Sequence, residues 1–387
     1  MKVFLHAPAQ QSTLADVYRD AFSEAVELFV VSAYLTDWND DLKLSKGLRT
    51  FRIIIGKDFG ITRKDACLKV LKWLPSARKS QFLVADNIQG FHPKAMFWLM
   101  RDGTAHALVG SSNLTRAAFA KNYEANVLTE LSGQDYQQAK LWIKDIERQS
   151  VVVSEDWIES YIENTVTASP KPSSPERPTT GPTIQLTLAE PSDIKSLLKA
   201  RRLHLAKYRK TQEALLKLFR KCAKGTVSSA KFFEVLPTIW DWEHGNRLQG
   251  KGWERRGKVA DFQALTKSFI KIFDAAETER DDVVVSELDD LADAGNPARR
   301  AFLSEMLCLA FPSEYPVLNQ PVVDYLRAMK FRSPRGATEG ATYVDIAKKL
   351  RSFIFQNPTH PAKTLAELDT IIWRLYGKDS QNATGKG

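Results

Sequence analysis

The segment GFHPKAMFWLMRDGTAHALVGSSN, residues 90–113, decides how the first part of this chain folds. Two apolar runs, 95–100 and 105–109, flank Arg101-Asp102-Gly103-Thr104, a sequence typical of a tight turn between antiparallel strands. His92 and Lys94 precede the first run, and Gly-Ser-Ser-Asn follows the second. We therefore expect two adjacent strands that carry both polar motifs to one edge of a sheet.

The two motifs suit the binding of a phosphate group. Side chains two residues apart on a strand point to the same side, so His92 would lie beside the cation of Lys94. The Gly-Ser-Ser-Asn turn would open a helical run, 114–120, and so place amide donors where oxyanions bind. Taken singly, His92 reads as a structural histidine and the turn as an ordinary helix cap. Their combination predicts a phosphate-handling site.

In this order and spacing, His-x-Lys followed by Gly-Ser-x-Asn resembles the signature of the phospholipase D superfamily. The aspartate that usually stands five residues after the lysine is replaced here by Leu99. The chain is more similar to the branch that includes metal-independent restriction endonucleases, in which a glutamate downstream of the motif asparagine takes that place. Glu124 fits this position, and the resemblance implies that it accepts a hydrogen bond from the far ring nitrogen of His92.

The resemblance also implies roles for the other motif residues. His92 would attack phosphorus to form a phosphohistidine, with Lys94 and Asn113 on the non-bridging oxygens. Ser111 and Ser112 would be supporting donors. No metal and no other cofactor is expected.

Phosphoryl transfer of this kind needs a second histidine. One neutral imidazole must attack while a protonated one donates to the leaving oxygen. The chain has six histidines, but only His92 lies in such a motif. We therefore expect a homodimer in which two copies of His92 face each other across a two-fold axis, so that the active site lies at the interface.

The organisation of the chain is predicted from its apolar periodicity and its prolines. Strand-like runs at 28–34, 51–55 and 81–84 alternate with helix-like stretches at 14–27 and 66–73. With the resemblance, they indicate an α/β fold over residues 1–168, a phospholipase D-like α/β/α sandwich. Five prolines among Ser, Thr and Lys predict a linker at 169–182.

The remainder, 183–387, is expected to be mainly α-helical and basic. Six stretches carry helix-period apolar residues: 262–273, 283–292, 299–310, 321–329, 343–355 and 365–376. The chain has a formal charge of +9, yet residues 195–271 alone hold 19 basic and 6 acidic side chains. The apolar spacing at the start of that segment predicts a basic amphipathic helix.

A basic surface gathers nucleic acid by counterion release. Charged helix faces are usually only solvated, but here the same chain carries the motifs of a phosphodiester site. We therefore predict nucleic-acid contacts, with DNA favoured over RNA. The predicted contact residues are Arg201, Arg202, Lys207, Arg209, Lys210, Arg255 and Arg256.

Together these features predict a nuclease that cleaves DNA through a phosphohistidine, and the resemblance implies a role in restriction or antiphage defence with a defence-system partner. Two other functions stay open: a catalytically idle nucleic-acid-binding module, and a phospholipid-processing enzyme. Leu99 argues against lipid chemistry, and no apolar run reaches the roughly 18 residues of a membrane span. Three isolated cysteines and the lack of a secretory signal predict a cytoplasmic protein.

Overall fold

The structure, a computed structural model, describes residues 1–7, 13–115, 118, 121–164, 181–249 and 257–377. The chain divides into two compact units, Met1–Ile184 with Arg332–Ala337, and Gln185–Phe331 with Thr338–Gly387. Most of the predicted linker lies outside the described residues. So do Arg255, Arg256 and most of the predicted helical run 114–120.

The first unit is built on one mixed sheet, which has eight strands within the described residues. The strands are β1 Lys2–His6, β2 Glu27–Ser32, β3 Thr50–Ile55, β4 Phe82–Val84, β5 Lys94–Leu99, β6 Ala105–Gly110, β7 Glu124–Leu131 and β8 Val151–Val152. Their order across the sheet is β1-β7-β6-β5-β2-β3-β4-β8. β3 runs parallel to β2 and β4, and the other neighbouring pairs are antiparallel.

Helices lie against both faces of this sheet. They are α1 Leu14–Glu24, α2 Lys64–Trp73, α3 Gly133–Arg148 and α4 Glu155–Ser160. On one face the Phe51 ring lies 6.2 Å from Phe22 of α1 and 6.4 Å from Trp73 of α2. On the other face the buried Arg52 is paired with Glu147 of α3. Because both faces are covered, β2 and β3 are buried throughout, and the predicted α/β class is confirmed.

The predicted hairpin joins β5 and β6. The Met100 N–H donates to the Thr104 carbonyl at 2.8 Å, and Gly103 adopts a φ of 90°, which glycine accepts without steric cost. The antiparallel register pairs Ala95 with Val109. The start of β5 therefore lies beside the end of β6, and the two polar motifs meet at one edge of the sheet as predicted.

The second unit is helical in its described residues. Its helices are α5 Ile194–Ala223, α6 Ser229–Val235, α7 Phe262–Asp274, α8 Arg280–Asp293, α9 Ser304–Ala310, α10 Gln320–Ala328, α11 Glu339–Gln356 and α12 Leu365–Tyr376. The six predicted stretches all overlap these helices, except that residues 299–303 form a π turn before α9. The Phe219 ring packs 5.0 Å from Phe269 and 5.2 Å from Phe232 in the core. None of the described helices is both long and apolar enough to cross a membrane.

Candidate active site

Four strand ends meet at one edge of the first unit's sheet. β5 begins there at Lys94, β6 ends at Gly110 and β7 begins at Glu124. β2 ends at Ser32, directly opposite Lys94 in the antiparallel ladder. Side chains alternate between faces along each strand, and the register through β6 puts Lys94 and Glu124 on the same face. The fold thus brings three of the predicted motifs together.

His92 and Lys94 are in direct contact. The Lys94 ammonium lies 3.0 Å from His92 Nδ1 and 3.3 Å from Nε2, and it also donates to the His92 carbonyl at 3.0 Å. His92 is exposed, and the edge of its ring lies against Tyr34, with 5.7 Å between ring centroids. This arrangement presents an accessible imidazole in direct contact with a cation.

The loop that carries His92 is held by backbone contacts with Asp58. Its carboxylate accepts hydrogen bonds from the N–H groups of Gly90 at 2.8 Å and Phe91 at 3.1 Å. Gly90 has a φ of 70°, in the region that favours glycine, and Phe91 is buried. The His92 side chain is therefore exposed on a loop whose backbone is held in place by Asp58 and by the buried Phe91.

Asn113 is oriented by the end of β2. Its Oδ1 accepts from the Tyr34 N–H at 3.2 Å and lies 3.4 Å from the Ser32 hydroxyl. That hydroxyl donates to the Tyr34 carbonyl at 2.7 Å and accepts from the Leu114 N–H at 2.9 Å. The Asn113 Nδ2 group has no protein acceptor among the described residues. Since Ser32 is also the ladder partner of Lys94, Asn113 lies at the same strand ends as the lysine.

Glu124 is buried and bound to its own neighbours. Its two oxygens accept from the Ser111 hydroxyl and, at 3.1 Å, from the Asn122 amide. Ser111 in turn accepts from the Ala125 N–H at 3.0 Å. Within the described residues Glu124 makes no hydrogen bond to His92, so the predicted contact between them is not formed in this structure.

The two serines of the turn serve mainly to attach it to β7. The Ser112 hydroxyl accepts from the Asn126 amide at 2.9 Å, and the single Ser111 proton is donated to Glu124. A Cβ added at Gly110 would lie 2.3 Å from both the Ala125 carbonyl and Asn126 Oδ1. The role predicted for Ser111, donation to a substrate oxygen, would first require it to leave Glu124.

Electrostatics link Glu124 to Lys94. Partial burial lowers the pKa of Lys94 below its ordinary value, and the negative charge of Glu124 partly offsets this effect. Burial raises the pKa of the neighbouring Tyr34, with a smaller contribution from the Asp58 charge. Glu124 therefore helps to keep Lys94 charged, a role that differs from holding the histidine.

Four residues near the site were not predicted from the sequence: His6, Ser32, Tyr34 and Asp58. Ser32 and Tyr34 follow the apolar run of β2, and Asp58 follows that of β3. Polar residues at the ends of buried strands are a usable signal, because neighbouring strand ends meet at one edge of a sheet. His6 gave no such signal, since its position depends on the pairing of β1 with β7.

The structure corrects one predicted nucleic-acid contact. Arg201 is buried, and its guanidinium donates to Asp369 at 3.0 Å and to the Leu248 carbonyl at 3.5 Å. A buried and paired guanidinium is not available to a polyanion. Arg202 is more exposed but donates to Glu367 at 2.6 Å.

The other predicted contacts on α5 remain accessible. Lys207, Arg209 and Lys210 are exposed and form no ion pair within the described residues. Burial of every third or fourth residue, including Leu205 and Tyr208, leaves these three cations on the outer side of the helix.

An apolar surface lies on the opposite face of the sheet from Lys94 and Glu124, near the same strand ends. Val3, Val109 and Val127 are register partners on three adjacent strands, and all three are exposed. Leu5 is 76% exposed and Tyr123, which precedes Glu124, is 82% exposed. We call these five residues the β1–β7 apolar surface. Exposed apolar patches of this kind commonly mark interaction sites.

The described residues contain no group of three or more His, Cys, Asp or Glu side chains placed to hold a metal ion together.

Comparison with known proteins yields structural likeness only. No protein-family model and no curated protein matches the sequence. NucT from Helicobacter pylori is similar over 39% of this chain and 98% of its own, with 17% identity and a TM-score of 0.32. Nuc from Salmonella typhimurium, described as a phospholipase D family member, is similar over 39% of this chain and 97% of its own, with 17% identity and a TM-score of 0.30. Likeness at this level assigns neither family nor activity to the chain.

Proposed function

We propose that this chain is a phosphodiester hydrolase of the phospholipase D type, a metal-independent nuclease that acts through a phosphohistidine on His92. The observation that carries the proposal is the contact of the exposed His92 imidazole with the Lys94 ammonium, at the strand ends where Asn113 also lies. A nucleophile, a cation and a neutral donor are the groups that an attacked phosphodiester requires.

The proposed reaction has two displacement steps. An imidazole nitrogen of His92 attacks phosphorus, and the bond from phosphorus to the leaving sugar oxygen breaks. Lys94 and Asn113 stabilise the charge on the non-bridging oxygens. A second, protonated histidine gives its proton to the leaving oxygen, then accepts one from the water that attacks the phosphohistidine. The enzyme is regenerated with a hydrolysed phosphodiester as product.

A second copy of this chain supplies the other histidine in this proposal. The β1–β7 apolar surface supports self-association, because two copies could bury Leu5 and Tyr123 against each other, on the face of the sheet opposite to Lys94 and next to the strand ends that carry the site. β1 is also an edge strand of the described sheet, and its unpaired backbone groups favour association. Each site would then combine its own His92 with that of the partner.

The proposed substrate is DNA. Lys207, Arg209 and Lys210 on α5 supply an accessible basic surface, which binds a polyanion without reading sequence. In this proposal the second unit binds DNA and the first unit cleaves it. This division of roles follows the predicted organisation, a phospholipase D-like sandwich joined to a basic helical domain. A role in restriction or antiphage defence, with a partner protein from that system, rests on the sequence resemblance alone.

One observation favours a second candidate, a catalytically idle nucleic-acid-binding module. Glu124 is bound to Ser111 and Asn122, and His92 has no carboxylate partner among the described residues. A histidine without an orienting acid could bind a phosphate without attacking it. Asn113 and Lys94 would then form an anion clamp.

The test is cleavage of supercoiled plasmid, single-stranded DNA and RNA by the purified chain in EDTA. His92→Ala should abolish cleavage, whereas His244→Ala, which changes an exposed histidine of the second unit, should not. Cleavage that survives His92→Ala, or that requires added magnesium, would overturn the proposed mechanism. Tight binding by both His92→Ala and the unaltered chain, with cleavage by neither, would establish the idle module instead.

A further inference from the structure

A cavity of about 310 Å³ lies beside the turn that carries Asn113. Its apolar wall is formed by Tyr18 of α1, by Trp38 and Leu42 from the segment after β2, and by Leu114. This volume is at the lower end of the roughly 300–1,000 Å³ range of small-molecule sites. The phosphodiester chemistry proposed above makes no use of it.

The cavity and the proposed phosphate site share two chain segments. Leu114 and Thr115 line the cavity and directly follow Asn113, so the Cα atoms of Asn113 and Thr115 are at most about 7 Å apart. The segment after β2 contacts the same turn, with the Thr36 N–H donating to the Leu114 carbonyl at 3.1 Å. A nucleotide whose phosphate is bound by Asn113 therefore has the cavity within reach of its base.

The aromatic and polar residues of the wall suit a flat heteroaromatic ring. Trp38 is fixed by its neighbours, with its ring 4.8 Å from Trp73 and 6.1 Å from Phe22. The polar residues of the wall include Asp37, Asn39 and Thr115. Asn39 Oδ1 accepts from the Asp41 N–H at 3.0 Å, and the Asn39 amide nitrogen has no protein acceptor among the described residues. It is available to donate to a ring carbonyl or ring nitrogen.

The charges of the wall argue against a second phosphate in the cavity. None of the described residues that line it is a lysine or an arginine. The one ionised group there, Asp37, is negative and is paired with Lys69 at 2.9 Å. A phosphate would meet this carboxylate, whose cation Lys69 is already engaged with it, and would find no lysine or arginine among the described lining residues. An uncharged base has no such repulsion to overcome.

We propose that this cavity binds the nucleobase of a nucleotide that adjoins the scissile phosphate. The proposal rests on the proposed nuclease function. It also specifies the conformation that the substrate must adopt in order to bind. A base can enter only when it is unstacked and unpaired, which favours single-stranded substrates or a base flipped out of a duplex. Stacking on an apolar and aromatic wall tolerates every base, so the cavity selects strandedness more than sequence.

The first test measures binding and does not depend on cleavage. Single-stranded oligonucleotides that contain the fluorescent base 2-aminopurine are titrated with the His92→Ala protein. Ala15→Phe places a ring in the cavity from an exposed position on α1, and Asp20→Phe places the same ring on that helix away from the cavity. We expect Ala15→Phe to weaken binding at least about fivefold and Asp20→Phe to leave it unchanged. Equal affinities for both variants would overturn the proposal.

The second test separates this proposal from the proposed function. The otherwise unaltered chain is given single-stranded DNA that has abasic positions at known places, and its cleavage sites are mapped. Cleavage depleted at linkages next to abasic positions, with the depletion lost in Ala15→Phe, supports the cavity as a base site. Cleavage that does not depend on the abasic positions would contradict the base site but would still support the proposed nuclease function. Failure to cleave any substrate would overturn the nuclease itself.

Discussion

His6 stands directly opposite Glu124 in the ladder between β1 and β7, so their Cβ atoms are about 5 Å apart on one face of the sheet. His6 is buried, and neither ring nitrogen has a hydrogen-bond partner among the described residues. An unsatisfied buried polar group typically costs about 1–3 kcal/mol. Within the described residues His6 is therefore a buried polar ring without a partner, next to the carboxylate that acts on Lys94.

We expect His6→Leu to raise the free energy of unfolding by about 1 kcal/mol, because it removes an unsatisfied polar ring at similar volume. Urea denaturation measures the change. Phe4→Leu, two residues earlier on the same buried face, should instead lower stability. A loss of stability of about 1 kcal/mol or more in His6→Leu would contradict this and show that the His6 ring makes a stabilising hydrogen bond.

The Lys94 charge should respond to Glu124. Burial lowers the pKa of Lys94, while the Glu124 carboxylate opposes that shift. Glu124→Gln removes the opposing charge, so we expect the pKa to fall further and the lysine to lose its proton at a lower pH. As the pH is raised, oligonucleotide binding at the site should therefore weaken at a lower pH in Glu124→Gln than in the unaltered chain.

NMR titration of ¹³C-methylated lysines tests this directly, with Lys94→Arg to assign the resonance. Glu130→Gln, at the other end of β7, is the matched control and should leave the Lys94 pKa unchanged. An unchanged or higher pKa in Glu124→Gln would contradict the electrostatic link.

Gly110 should be essential to the turn. A Cβ there would lie 2.3 Å from a carbonyl oxygen of β7, so the backbone must shift. We expect Gly110→Ala to cost about 2 kcal/mol or more and to abolish cleavage. Gly133→Ala is the control: a Cβ at this first residue of α3 meets nothing within 4 Å. It should be neutral or stabilising by about 0.5 kcal/mol in thermal and urea unfolding, and equal losses in the two variants would refute the packing argument.

Arg201 and the exposed cations of α5 should behave differently. Arg201→Gln leaves the buried Asp369 without its cation, with only the Asn319 amide still donating to it, and should cost about 3 kcal/mol in stability. Changing Lys207, Arg209 and Lys210 together to Gln should leave stability nearly unchanged. It should instead reduce the slope of log affinity for duplex DNA against log salt by up to about 3, because each phosphate contact contributes about 0.9. An unaltered salt slope in the triple variant would exclude this helix face as the DNA surface.

The sequence predicted those parts of the fold that depend on local patterns. The β5–β6 hairpin follows from two apolar runs around Gly103, and the contact of His92 with Lys94 follows from their spacing on an extended segment. The helices of the second unit follow from apolar residues at helical spacing. In each case the determining interactions lie within a short stretch of chain.

The remaining features depend on pairings between distant segments. The antiparallel pairing of β1 with β7 places His6 beside Glu124, and the pairing of β2 with β5 places Ser32 between Lys94 and Asn113. The burial of Arg201 depends on Asp369, which is 168 residues away in the chain. Helical periodicity identifies α5 as amphipathic, but it does not reveal which of its cations another helix will neutralise.

The central claim is attack by His92 on phosphorus, and the stereochemistry at phosphorus tests it most directly. An oligonucleotide with one phosphorothioate of known configuration is cleaved in ¹⁸O-water with EDTA present, and the configuration of the product is determined. Two in-line displacements through a phosphohistidine predict retention. Inversion, which marks a single attack by water, would contradict the account, as would the absence of any cleavage until a metal ion is added.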